Sequence, residues 1–235
     1  MRARQRHFNA RDAGARIALD ARFLSGLNNG DAVSTWTNRI GSSDFTGSGT
    51  ARPTYTASSF SGNPALTFDG TNDTMAATGI TWSADFTNVY VVRFNRSPNY
   101  TGLIDTIACK TNYIQAQPKG FLATMSNHFV SITQTFFTTE YAQGGTGKTS
   151  TVINGVSSTA AAGNGTVGAA TILSANATGS NTDANTSFTL GNEPSTAGRF
   201  GNMDFAYFAY LPQSSSTLRR RLEQSAAYSF KIACS

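Results

Sequence analysis

AQGGTGKTSTVINGVSST, residues 142–159, admits two folds. Its first half fits the relaxed phosphate-loop pattern, a small residue and four others before Gly147-Lys148-Thr149. A working phosphate loop needs a strand before it and a helix starting at the Lys-Thr, so that the helix N-terminus faces the phosphates. The upstream residues Val130–Phe137 read as a strand, but the downstream side opposes a helix. Thr151-Val152-Ile153 is β-branched, and Asn154-Gly155 is the two-residue turn of a β-hairpin. The stretch therefore predicts a hairpin with a lysine in its neighbourhood. It points away from a nucleotide-binding α/β fold.

The rest of the chain repeats that pattern. Its 235 residues suffice for one large β domain. Only 13% are charged and 22 are Gly, with Ser, Thr, Asn and Ala filling much of the remainder. Such a composition suits short strands joined by many turns. Asn88-Val89-Tyr90-Val91-Val92-Arg93-Phe94 is the clearest strand. Shorter runs at 17–21, 32–37, 53–56 and 64–68 precede it, and others follow at 103–108, 121–125, 129–137, 151–156, 170–174, 187–190 and 203–211. This spacing predicts an antiparallel sandwich. Residues 157–187 read as a long surface excursion around one short strand. In the last strand, simple alternation would place Phe205, Tyr207 and Leu211 on one face and Phe208 and Tyr210 on the other. These aromatics read as core covered by a helix rather than as a sugar platform.

One helix is expected, near the end. Ser215 or Ser216 can cap it, Leu218 and Leu222 share a face, and Arg219 can pair with Glu223 at i,i+4. Arg219-Arg220-Arg221 then reads as a solvated helix face rather than a nucleic-acid patch.

The net charge of +5 sits at the two ends: residues 1–22 carry +4 and residues 199–235 carry +3, against −2 between them. The division expected is a basic N-terminal arm, 1–16, and a sandwich domain, 17–235. Arg2, Arg4, Arg6, Phe8, Arg11 and Arg16 of the arm are the candidate partner-docking residues, five cations and one apolar anchor. The opening lacks the apolar segment of a secretory signal, and there is no run of about 18 apolar residues to cross a membrane. Cys109 and Cys234 read as unpaired thiols, with a disulfide as the open alternative. His7 and His128 have no ligand neighbours at zinc spacing. Asp69, Asn72 and Asp73 could offer calcium three oxygen ligands, but a turn whose side chains bond the local backbone is preferred. No cofactor is expected.

Together these residues resemble a known family. Leu19-Asp20-Ala21, Gly30-Asp31-Ala32-Val33-Ser34-Thr35-Trp36, Pro53-Thr54-Tyr55 and Phe68-Asp69-Gly70-Thr71-Asn72-Asp73 are similar to motifs of the concanavalin A-like, laminin-G-type jelly roll. That family occurs in phage virion proteins and bacterial surface proteins. Its Asn-Gly hairpin resembles Val152–Val156, and its closing strand and helix resemble residues 200–232. The resemblance implies an all-β jelly roll with one short C-terminal helix. It also implies a virion component such as a head decoration or fibre protein, made in the host cytoplasm. The expected partners are other virion proteins or copies of itself, in a homo-oligomer, with nucleic acid and membrane set aside. The alternative is an adhesin at the bacterial cell surface that binds host glycans. Glycosidases of this fold resemble one another in a Glu-x-Asp-x-Glu or Glu-x-Asp-x-x-Glu strand, which supplies a carboxylate pair about 5 Å apart for retaining hydrolysis. The three glutamates here, Glu140, Glu193 and Glu223, have no acidic partner two or three residues away. On that ground the chain is expected not to be an enzyme.

Overall fold

The computed structural model describes residues 9–83, 85–95, 105–111, 122–126, 135–141, 150–154, 156–158, 165–166, 168–177, 183–192 and 200–234. Two antiparallel sheets form a sandwich. One runs Val156–Ser158, Ser150–Ile153, Thr171–Ala177, Phe86–Phe94, Asn202–Leu211, Asn63–Asp69, Thr54–Phe60, with Ile17–Asp20 also paired to Asn202–Leu211. The other runs Gly165–Thr166, Thr135–Tyr141, Leu122–Ser126, Asp105–Thr111, Asp183–Leu190, Met75–Trp82, Phe45–Thr46, Thr35–Trp36.

The hairpin expectation holds. Ser150–Ile153 pairs with Val156–Ser158, and Asn154 turns between them at φ 48. Residues 142–149 lie outside the described residues, but a strand begins at Ser150, where a phosphate loop would need a helix.

Phe86–Phe94 is buried along nearly its whole length because both of its faces are covered. Phe86, Tyr90, Val92 and Phe94 join the core between the sheets. Val89 and Val91 join a second core on the outer face. The cover is the Ser216–Phe230 helix, whose Leu218, Leu222, Ala226 and Phe230 recur every fourth residue and so lie in one stripe. Ser215 caps the helix, its Oγ accepting from the Leu218 N–H at 3.2 Å. Lys231 closes it in the left-handed conformation, φ 54. Arg219 does pair with Glu223, at 3.2 Å, but the pair turns inward beneath the helix, where Ser174 also donates to Glu223. Arg220 and Arg221 remain exposed.

Between the sheets the core is aromatic. Phe205 meets Trp36 edge-on at 5.6 Å, and Phe208 stacks on Tyr90 at 4.9 Å and on Phe188 at 5.4 Å. The last strand departs from simple alternation. A bulge lies between Phe205, opposite Val92, and Tyr207, opposite Val91. Phe205, Phe208 and Tyr210 therefore face the inner core, while Ala206, Tyr207, Ala209 and Leu211 face the outer one. The extra residue shifts every later side chain to the other face. The bulge also falls where the strand changes neighbours, from Asn63–Asp69 to Ile17–Asp20.

On the outer face, Asp204 is buried yet fully satisfied. It accepts from Ser59 at 2.5 Å, Thr67 at 2.8 Å and Asn95 at 2.9 Å, and pairs with Arg93. Burial pushes this carboxyl up, but those hydrogen bonds and the Arg93 charge outweigh it, leaving it below its ordinary value.

Candidate functional site

A groove of about 1180 Å³ opens on the helix side of the sandwich. Four segments wall it: residues 9–11, Arg22 and Phe23 of the 3₁₀ turn, Arg39 with Ile40, and residues from Ser225 to Lys231 at the end of the helix. Its floor holds Ala18, Asp20 and Tyr207.

Each floor residue is set by local chemistry. Asp20 caps the 3₁₀ turn, accepting from the Arg22 N–H at 3.1 Å, and receives the Arg22 guanidinium as a fork at 2.9 and 2.6 Å. That bonding holds Arg22 in its charged form against the opposing effect of burial. The guanidinium then lies 4.7 Å over the Phe230 ring. Tyr207 reaches the floor because the bulge turns it outward. Burial, with the Asp20 charge beside it, keeps its phenol protonated far above neutral pH.

The rim is cationic and aromatic. Arg39 lies 3.1 Å over the Phe23 ring, and its carbonyl accepts from Arg11 Nη2 at 3.1 Å. Lys231 stands at the helix end, a position that complements the partial negative charge of the last carbonyls. Among the described residues no carboxylate pairs with Arg11, Arg39 or Lys231. Phe23 and Tyr228, 56% and 72% exposed, are the exposed large hydrophobic residues of the described chain, and both line this groove.

Of the sequence-predicted docking residues, Arg11 lies on the rim and Arg16 lies elsewhere, donating to the Thr81 carbonyl at 3.1 Å. Arg2, Arg4, Arg6 and Phe8 lie outside the described residues. Residues 9–16 pack on the body: Ala10, Ala13 and Ala15 are buried, and the Arg16 N–H donates to the Tyr210 carbonyl at 2.9 Å. Arg22, Phe23, Arg39, Tyr207, Tyr228 and Lys231 were not legible as one site, because four separate segments supply them.

The Asp69–Asp73 turn bonds its own backbone. Asp69 Oδ1 accepts from the Thr71 N–H at 2.7 Å and the Asn72 N–H at 3.2 Å, and Asp73 Oδ2 accepts from the Asp69 N–H at 2.8 Å. No cluster of three or more His, Cys, Asp or Glu suited to a metal occurs among the described residues. No helix among them is long and apolar enough to cross a membrane.

No family model matches the chain, and no curated protein matches it. Among solved structures it is similar to Trypanosoma rangeli sialidase in complex with 2,3-difluorosialic acid, at 10% identity and a TM-score of 0.47, over 92% of this chain and 33% of that one. The same sialidase with a difluorinated KDN gives 10% identity and a TM-score of 0.48 over the same shares. An arabinose-bound α-L-arabinofuranosidase gives 13% and 0.39, over 88% of this chain and 29% of that one. The chain thus spans about a third of the length of these proteins. At such identities and TM-scores the likeness assigns this chain neither a family nor an activity.

These comparisons correct one expectation. The chain was expected not to be an enzyme, yet the solved structures similar to it are of a sialidase and an arabinofuranosidase, which are enzymes. The missing Glu-x-Asp-x-Glu strand does not by itself exclude catalysis, because that pattern is one arrangement of carboxylates among several.

Proposed function

We propose that this chain is a recognition module that attaches to an anionic partner through the groove beside the C-terminal helix. One observation carries the reading: three cations without a carboxylate partner among the described residues, Arg11, Arg39 and Lys231, ring the same groove as the exposed Phe23 and Tyr228. Cationic rims steer anionic partners, and exposed aromatic rings supply contact area at low entropic cost. The arginines at 2, 4 and 6 precede the groove wall directly in sequence. The resemblance to the concanavalin A-like jelly roll supplies the setting, a phage virion in which the module decorates a head or fibre beside copies of itself. The exposed aromatics favour a second setting, a surface adhesin that reads glycans.

Retention on immobilised anionic polymers tests the reading. Heparin, single-stranded DNA and polyglutamate should divide into bound and unbound, with the bound class released by moderate salt. Arg39→Glu combined with Lys231→Glu should abolish that retention while the melting temperature holds. If no anionic polymer is retained, or if the double variant is retained as well as the parent, the reading fails.

A further inference from the structure

We infer that the occupant of the groove is an acidic, amphipathic helix of a partner protein, an inference that rests on the attachment reading above. Charge complementarity points to it first. Arg11, Arg39 and Lys231 come from three different walls, and none has a carboxylate partner among the described residues. Such a rim favours an occupant with carboxylates along its flanks. The surface between the cations has the opposite character. Ala10, Ala18, Ile40, Ala226 and Ala227 line it, and the Asp20 charge there is cancelled by the Arg22 fork. Phe23 adds a ring that is 56% exposed. An apolar stripe with carboxylates beside it answers both surfaces, and an amphipathic helix presents that pattern. The Tyr207 hydroxyl on the floor retains its proton and can donate to one of those carboxylates.

Other occupants fit less well. An extended peptide would have to pair its backbone with a free strand edge. The edge of Ile17–Asp20 is occupied at Ala18, whose N–H donates to Asn38 Oδ1 at 3.0 Å and whose carbonyl accepts from the Arg39 N–H at 3.0 Å. A helix bonds its own backbone and needs no such edge. A second copy of this chain would bring like charge to the rim. The net charge is +5, and the Ser216–Phe230 helix carries three arginines against one glutamate. A nucleic-acid strand is followed by serial basic groups with rings for base stacking, whereas these cations surround an apolar floor. Size adds a constraint. At about 1180 Å³ the groove exceeds the roughly 300–1,000 Å³ of ordinary small-molecule pockets, which suits an element of polypeptide better than a metabolite.

Titration calorimetry on the full chain tests this. The first probe is a glutamate-rich helical peptide whose leucines form one stripe. The second has the same composition with its leucines scattered around the helix. A short single-stranded DNA and a heparin fragment of similar charge complete the set. The striped peptide should bind about tenfold or more tightly than the scattered one, because only it can fill the apolar floor. Phe23→Ala should weaken the striped peptide about tenfold, the order of a lost aromatic contact. Arg39→Ala should weaken both peptides and flatten their salt dependence. Both side chains are exposed, and an unchanged melting temperature will show that each variant folds. Equal binding of the two peptides overturns the inference, since charge alone would then suffice. Striped-peptide binding that neither Phe23→Ala nor Arg39→Ala weakens overturns it as well. Silence from both peptides overturns it too, and DNA or heparin binding that Arg39→Glu with Lys231→Glu abolishes would then leave the attachment reading standing. Silence from every probe overturns both.

Discussion

Phe205 and Tyr207 stand two positions apart on one strand, yet they face opposite sides of the sheet. Phe205 packs edge-on against Trp36 in the inner core, while Tyr207 forms part of the groove floor. The bulge at Ala206 separates them, and it lets one strand serve the core and the groove at once.

Truncating each residue should expose the difference. Phe205→Ala removes a fully buried ring and should cost about 3–5 kcal/mol of stability. Tyr207→Phe should leave stability nearly unchanged, since its hydroxyl bonds to no described residue, and should weaken ligand binding. Denaturant unfolding measures the first and calorimetry the second. Equal destabilisation by the two substitutions would contradict the division of faces.

Two buried aspartates should leave opposite marks on stability against pH. Burial pushes the Asp73 carboxyl up from 3.8 to about 6, with the Asp69 charge adding and the Asp69 N–H bond opposing. Between those values the folded chain holds a proton that the unfolded chain releases. Stability from this group is therefore full below 3.8 and declines as pH rises to about 6. Asp204 is shifted the other way, so its contribution is present above 3.8 and is lost as pH falls through its lower folded value. Asp73→Asn keeps an acceptor for the Asp69 N–H and should remove the decline between about pH 4 and 6, leaving the acid limb in place. Melting temperatures in half-unit pH steps will show it. A decline that persists in the variant would assign it to another group.

Gly191 should tolerate no side chain. Its φ is +78, and a Cβ there would lie 2.3 Å from a ring carbon of Phe68. Left-handed strain and overpacking together predict a loss of about 2–4 kcal/mol for Gly191→Ala. Gly62, at φ +87 with nothing within 4 Å of its Cβ, is the control, since its alanine variant meets backbone strain alone. Equal losses at the two sites would refute the Phe68 clash.

Residues 9–15 of the basic N-terminal segment should contribute to stability. Deleting residues 2–8 should leave the melting temperature near that of the parent and weaken anionic binding. Deleting 2–15 should destabilise the domain, because Ala10, Ala13 and Ala15 belong to the outer core and Arg11 braces Arg39. If both deletions melt alike, the 9–15 turn contributes nothing to the fold.

Local chemistry alone determined much of this protein. β-Branched runs, the Asn154-Gly155 turn and the Ser215 cap act through near neighbours in sequence, so they announced the hairpin, the clearest strand and the closing helix without any tertiary contact. Met75–Trp82 escaped notice because its two Ala and its Gly carry weak strand preference, and its pairing with Asp183–Leu190 is broken by register shifts. The two faces of the last strand were misassigned for a related reason. A bulge leaves no mark in the alternation of Ala and aromatic residues, and it arises where one strand must pair with two neighbours. The groove was beyond local reading altogether. Asp20, Arg39, Tyr207 and Lys231 come together only when the first strand docks beside the last and the C-terminal end of the helix comes to lie beside Tyr207. Long-range packing sets those distances, and no spacing along the chain encodes them.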